Sequence, residues 1–197
     1  RAILQEVLGR GWQTIADAKK LSEISDQAHF AYAADFTQPG QVDRIGEALA
    51  QQGMEIDVFV YAAGDIGAVN ISGADQARWL EILENNLTGV FQTLRASLPL
   101  LVEDGHIFFL GAVSERLKLP GLTAYVAAKA GLEALAVSLS KEERKKKVTV
   151  IRPGAVDTEI WKKVPFKKPS HTYQPSQVAE RIWRAYEQGE TGQVDLV

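Results

Sequence analysis

Tyr125 and Lys129 stand four residues apart in an alanine-rich segment, Thr123 to Lys141, that reads as a helix. This spacing puts both side chains on one face, one turn apart. A phenol alone titrates at about 10, too high for acid–base work at neutral pH. A neighbouring ammonium favours the phenolate and brings it toward the working range. The same ammonium can donate to a sugar hydroxyl. The pair therefore offers proton transfer at an oxygen beside a bound sugar. The spacing also describes an ordinary solvent-facing pair, so the elements around it decide between the two.

Those elements alternate. Ala2, Ile3, Val7 and Leu8 have helical spacing, closed by Gly9-Arg10-Gly11. Strands are predicted at Trp12 to Ala16, Ala28 to Ala34, Ile56 to Ala63, His106 to Leu110, Val148 to Ile151 and Gln193 to Val197. Helices are predicted at Lys19 to Ser25, Val42 to Gln52, Ala74 to Leu101, Thr123 to Lys141 and Pro175 to Gln188. Strand–helix alternation predicts an α/β fold: a single-domain, Rossmann-like, doubly wound parallel sheet with helices on both faces. Apolar runs such as Asp57-Val-Phe-Val-Tyr-Ala62 fit burial on both sides. Ligands of such sheets bind past the carboxyl ends of strands, where Asp35, Gly64, Gly111 and Pro153-Gly154 fall.

Composition removes other classes. The 197 residues suit one domain with a sizeable core. A net charge of -3 gives no reason to expect nucleic acid. No apolar run reaches the roughly 20 residues that span a bilayer. The amphipathic start, Arg1 to Leu8, is unlike a signal peptide, and the expected location is the cytoplasm. With no cysteine there are neither disulfides nor thiolate–metal sites, and His29, His106 and His171 lie far apart in sequence, so no metal is expected.

Five segments together resemble the short-chain dehydrogenase/reductase family, in family order and over nearly the whole chain. Leu119-Pro-Gly-Leu-Thr-Ala-Tyr-Val-Ala-Ala-Lys-Ala-Gly-Leu132 is similar to its active-site helix. Tyr61-Ala-Ala-Gly64 resembles its Asn-Asn-Ala-Gly signature, and Asn85-Asn-Leu-Thr-Gly-Val-Phe91 the segment holding its catalytic asparagine. Ile151-Arg-Pro-Gly-Ala-Val-Asp-Thr158 resembles its Pro-Gly segment beside the nicotinamide, and Ala34-Asp35-Phe36 its adenine-contacting step. The resemblance implies NAD or NADP as cofactor and a small or medium carbonyl or alcohol as substrate. Tyr125 would be the general acid or base, Lys129 would hold the nicotinamide ribose and tune Tyr125, and Asn86 would anchor a water of the proton relay. Ala62, Ala63 and Gly64 would let the backbone approach the cofactor. Pro153, Gly154, Val156 and Thr158 would line the nicotinamide, Asp35 would bond the adenine amino group, and Phe36 would offer its backbone. Trp161 and Phe166 lie where the family has a mobile substrate lid, whereas Trp79 and Trp183 read as packing. Pairing through the long helices implies a homodimer or homotetramer.

Three departures stand out. The family's serine lies thirteen residues before the tyrosine; that position holds Ala112, and Ser114 is the nearest substitute. A lost preorganised donor can cost about 10²–10³ in rate, so a catalytically weak dinucleotide-binding sensor or interaction protein is the second reading. The family opens with a central strand and a Gly-x-x-x-Gly-x-Gly turn that these residues lack. About ten to fifteen further residues are therefore expected upstream, since an unfilled central position leaves ladder groups unpaired. Finally, Asp17-Ala-Lys-Lys20 is short where NAD or NADP is chosen: Asp17 argues for the former, Lys19 or Lys20 for the latter.

Overall fold

The computed structural model describes residues 1–24, 26–73, 75–113, 117 and 119–196, with Pro39 described by its backbone alone. Six strands and six α-helices carry the architecture of these residues: α1 (Ala2–Leu8), β1 (Ile15–Ala18), β2 (Phe30–Ala33), α2 (Pro39–Gln51), β3 (Ile56–Tyr61), α3 (Gln76–Leu83), α4 (Gly89–Ser97), β4 (Leu101–Leu110), α5 (Thr123–Glu142), β5 (Lys147–Pro153), α6 (Pro175–Gln188) and β6 (Gly192–Leu196). Every strand pairing is parallel. β1 pairs with β2, and β3, β4, β5 and β6 follow one another in a second ladder. The resemblance calls for one sheet with a further strand in its middle. Among the described residues, neither β1 nor β2 is paired with β3, and the strands form two ladders.

Alternation along β4 shows why its run is apolar throughout. Ile107 and Phe109 join Val90, Leu94, Leu132, Ala136 and Leu139 in a core beneath α4 and α5. Phe108, between them, joins Val178, Ile182 and Ala185 of α6, with Ile3 of α1 against the same cluster. A strand covered on both faces has no solvent side to keep polar, and each such side chain contributes about 1.5–3 kcal/mol of burial. Helices thus cover both faces, the doubly wound arrangement expected from the alternation.

Two boundaries differ from expectation in ways that matter for the site. β1 begins at Ile15, not Trp12, because its ladder with β2 runs from Ile15 opposite Phe30 to Ala18 opposite Ala33. Asp17 therefore lies inside the strand, and Lys19 is the first residue past its end. The long helix expected over Ala74 to Leu101 is interrupted, and Ala74 itself lies outside the described residues. α3 starts at an Asp75 cap, whose carboxylate accepts from the Ala77 N–H at 3.0 Å. A π turn, Glu84–Thr88, then separates α3 from α4, and a 3-10 turn over Leu98–Leu100, with Pro99 in its first turn, delivers Leu101 into β4.

Candidate active site

The π turn places Asn86. An i→i+5 turn widens the helix, and Asn86 sits in it fully buried. Its Nδ2 donates to the Ile82 carbonyl at 2.8 Å and to the Asp65 carbonyl at 2.6 Å, the second bond crossing to the loop after β3. Its Oδ1 is buried without a partner among the described residues. Tyr61, the last residue of β3, donates its hydroxyl to the Asn85 carbonyl at 3.0 Å. Burial raises this phenol far above its usual range. Gly89 makes that bond possible, since a Cβ there would stand 2.8 Å from the Tyr61 hydroxyl.

Gly64 closes the other side. A Cβ on it would lie 2.7 Å from Asn86 Oδ1 and 3.6 Å from Lys129 Nζ. Only glycine lets the end of β3 come so near both groups. Ala62 is exposed beside it and Ala63 half-buried.

Lys129 is 5% exposed on α5, and its ammonium donates to the Leu110 carbonyl at the end of β4, 2.8 Å away. Burial lowers its pKa to about 8, partly offset by the Glu133 carboxylate one turn on. Tyr125 is half-buried, packed with Trp79 against Val69, Ile82 and Ala124. The Lys129 ammonium lies 5.7 Å from the centre of its ring. The expected lowering of the Tyr125 pKa is absent here: burial raises it to about 12. Desolvation of the phenolate outweighs an ammonium that is aimed at Leu110 rather than at the hydroxyl. Tyr125 is thus held as a neutral acid.

The fold gathers Tyr125, Lys129, Asn86 and Gly64 at the carboxyl ends of β3 and β4. Pro153 ends β5, and Gly154 N–H donates to the Leu196 carbonyl at 2.8 Å. Val156 bridges Tyr173, and extended Thr158 precedes a 3-10 turn, Glu159–Lys163. Trp161 turns its indole N–H back to the Val156 carbonyl at 2.8 Å, and Phe166 is half-buried. Ala112 is buried after β4, while Ser114 lies outside the described residues. Asp35 stands apart, at the end of β2. Its Oδ1 accepts from the Thr37 N–H and hydroxyl at 3.1 and 2.8 Å, and its Oδ2 pairs with Lys19 at 2.8 Å. The Lys19 bond holds the carboxyl below its ordinary range. Phe36 leaves that strand end to pack beside Tyr61.

The remaining polar and aromatic candidates resolve as packing. His106 is buried, stacked 4.0 Å from Phe108, with Nε2 at 2.8 Å from the Thr149 hydroxyl. That hydroxyl donates to the Glu190 carbonyl, so the ring nitrogen is the donor of the pair. Burial lowers this histidine to about 4 and keeps it neutral. Trp183 meets Trp12 edge-on and carries the Arg10 guanidinium over its ring. No group of three potential metal ligands converges among the described residues, and no helix among them is long and apolar enough to cross a membrane.

Sequence reasoning passed over Asp65, Arg78 and Lys163. Asp65 follows Gly64 directly and is gripped by Lys163 at 2.6 Å and Arg78 at 3.0 Å. Only a carboxylate immediately after the Ala-Ala-Gly signature could have signalled it.

The short chain dehydrogenase family model matches residues 6–168. An oxidoreductase of Botryotinia fuckeliana is 29% identical over 169 residues, covering 80% of this chain and 62% of that protein. An uncharacterized oxidoreductase of Staphylococcus epidermidis is 32% identical over 149 residues, 72% of this chain and 65% of its own length. The chain thus spans less than two thirds of both. The 3-oxoacyl-[acyl-carrier-protein] reductase of Escherichia coli is 28% identical over 172 residues, 81% of this chain and 70% of the relative. Among solved structures, Thermoplasma acidophilum aldohexose dehydrogenase superposes with a TM-score of 0.86 at 20% identity, over 99% of this chain and 87% of that one. An alcohol dehydrogenase from Thermococcus sibiricus, solved with 5-hydroxy-NADP, gives 0.88 at 22% identity, over 99% and 89%. These structures share the fold. With a family model matched over most of its length, the chain belongs to the short chain dehydrogenase family of oxidoreductases.

Proposed function

We propose that the protein is an NAD(P)-dependent carbonyl reductase or alcohol dehydrogenase for a small or medium substrate. The observation that carries this reading is the convergence of Tyr125, Lys129 and Asn86 around Gly64. The donor set fits a dinucleotide. Lys129 spends one ammonium proton on Leu110 and keeps two for ribose hydroxyls. Asn86 Oδ1 is a buried acceptor awaiting a donor such as a relay water. A bound nicotinamide supplies or accepts the hydride. Tyr125, protonated in its half-buried site, gives its proton to a carbonyl oxygen, or receives one in the reverse direction. Pro153, Gly154, Val156 and Thr158 flank the nicotinamide position, Ala62 and Ala63 the approach beside it, and Asp35 and Phe36 the adenine end. Asp17 lies inside β1 and Lys19 is paired with Asp35 past its end, so both NAD and NADP stay in the reading. The protein acts in the cytoplasm as a homodimer or homotetramer.

Titrating NADPH and NADH while following nicotinamide fluorescence, then adding aldehydes and ketones, tests this reading. Turnover should appear in wild type and fall about 10²–10⁴-fold in Tyr125→Phe with cofactor binding kept. Ala112 favours a second reading: a dinucleotide-binding sensor with weak catalysis. Binding without turnover across the panel would support it, and no binding of either cofactor would sink both.

A further inference from the structure

Asp65 has neighbours from three parts of the chain. Its backbone carbonyl accepts the Asn86 amide at 2.6 Å. One carboxylate oxygen pairs with Arg78 of α3 at 3.0 Å, and the same guanidinium group donates to the Ile66 carbonyl at 3.0 Å and pairs with Glu81 at 2.6 Å. The other oxygen takes Lys163, 98 residues away, at 2.6 Å. Burial would push this carboxyl up, but the bonds from Lys163 and Arg78 reverse that and hold it below its ordinary range. The Asp65 side chain is 13% exposed, and that of Lys163 56%.

The topology gives this ion pair its meaning. Lys163 ends the 3-10 turn that follows β5, and Asp65 follows β3. β4 lies between those strands in the sheet, and its last carbonyl holds Lys129. A bond from Lys163 to Asp65 therefore joins the loops after β3 and β5, on either side of the strand whose end holds Lys129. The neighbouring lysines do not do this: Lys162 pairs with Glu159 inside the turn, and Lys168 with Asp157. Trp161 anchors the base of the turn to Val156, and Lys163 ties its far end to Asp65.

We propose that Asp65 and Lys163 form a clasp that holds the 159–163 segment over the cofactor cleft, with Asp65 positioning Asn86 through its carbonyl and the clasp gating cofactor release. This gate rests on the dinucleotide reading above; the clasp itself does not. Arg78 keeps the carboxylate in place when the lysine leaves, so the loop after β3 stays set while the segment opens. An exposed lysine makes a weak and reversible bond, which suits a lid that must open at each turnover.

Two measurements on the purified chain test it. The first is amide hydrogen exchange of residues 159–163 without cofactor. Lys163→Gln should raise exchange there about two- to fivefold, the range expected for one exposed ion pair. Lys163→Arg should restore protection. Equal exchange in wild type and Lys163→Gln would overturn the clasp. The second is the release rate of NADPH by stopped-flow fluorescence. In wild type it should rise with salt, because the bond is exposed and screened. Lys163→Gln should release about two- to fivefold faster and lose the salt dependence. Faster exchange with unchanged release would overturn the gating role. If wild type binds neither dinucleotide, the reductase reading fails, and the exchange result still decides the clasp.

Discussion

At the scale of single residues, the site is shaped by burial as much as by charge. Burial lowers Lys129 to about 8 and pushes Tyr125 up to about 12. In the free protein near neutral pH both therefore carry their protons, the state that carbonyl reduction requires. As pH rises through 8, Lys129 loses its charge first, and with it the charged donors it offers to a ribose. The pH profile of kcat/KM for reduction should accordingly fall on an alkaline limb with an apparent pKa near 8. A profile flat to pH 10 would show that Lys129 keeps its proton well beyond the value its burial sets.

At the scale of elements, β1 carries a cost. Asp17 shares a strand face with Ile15, which packs into the apolar cluster of Ala34, Ile45 and Leu49. Desolvation raises the Asp17 carboxyl from 3.8 to about 6. The sign follows from linkage: the fold favours the protonated acid, so its contribution is full below pH 3.8 and is lost as pH rises through about 6. Asn imitates the protonated form. Asp17→Asn should therefore raise stability by roughly 1–2 kcal/mol at pH 7.5 and change little at pH 4. Urea midpoints at the two pH values check this, and equal midpoints at pH 7.5 would remove Asp17 as a source of strain. The helix from α3 to α4 shows the opposite economy. Its π turn gives up a regular hydrogen bond, yet the Asn85 carbonyl finds Tyr61 and the Asn86 amide finds Asp65 and Ile82.

For the whole molecule, α4 and α5 leave large apolar side chains in water. Phe91 is 54% exposed and Val137 57%. Exposed apolar groups on the helices through which the family resemblance implies pairing are what an interface would cover. Light scattering at micromolar concentration should report a dimer or tetramer, and Phe91→Glu should shift it toward monomer without lowering the thermal midpoint of the monomer. A wild-type monomer would remove the assembly from the proposal.

Local patterns sufficed for much of this. Period-2 and period-3.6 patterning and Gly or Pro punctuation located most strands and helices, because these elements are set by residues a few positions apart; the helix expected over Lys19 to Ser25 is instead a 3-10 turn, Leu21–Glu23, among the described residues. The Tyr125–Lys129 pair was visible for the same reason, both residues lying on one helix. Asn86 was recognised by its neighbours in sequence, but its bond to Asp65 was not, since the π turn that aims it depends on packing against the loop after β3. The end of β1 was set by its ladder with β2, which moved Asp17 into the strand. The protonation of Tyr125 and Lys129 was decided by the surrounding core, a sum over distant side chains that no local pattern encodes. Lys163 and Asp65 meet across 98 residues, and only the parallel order of β3, β4 and β5 brings their loops to one edge.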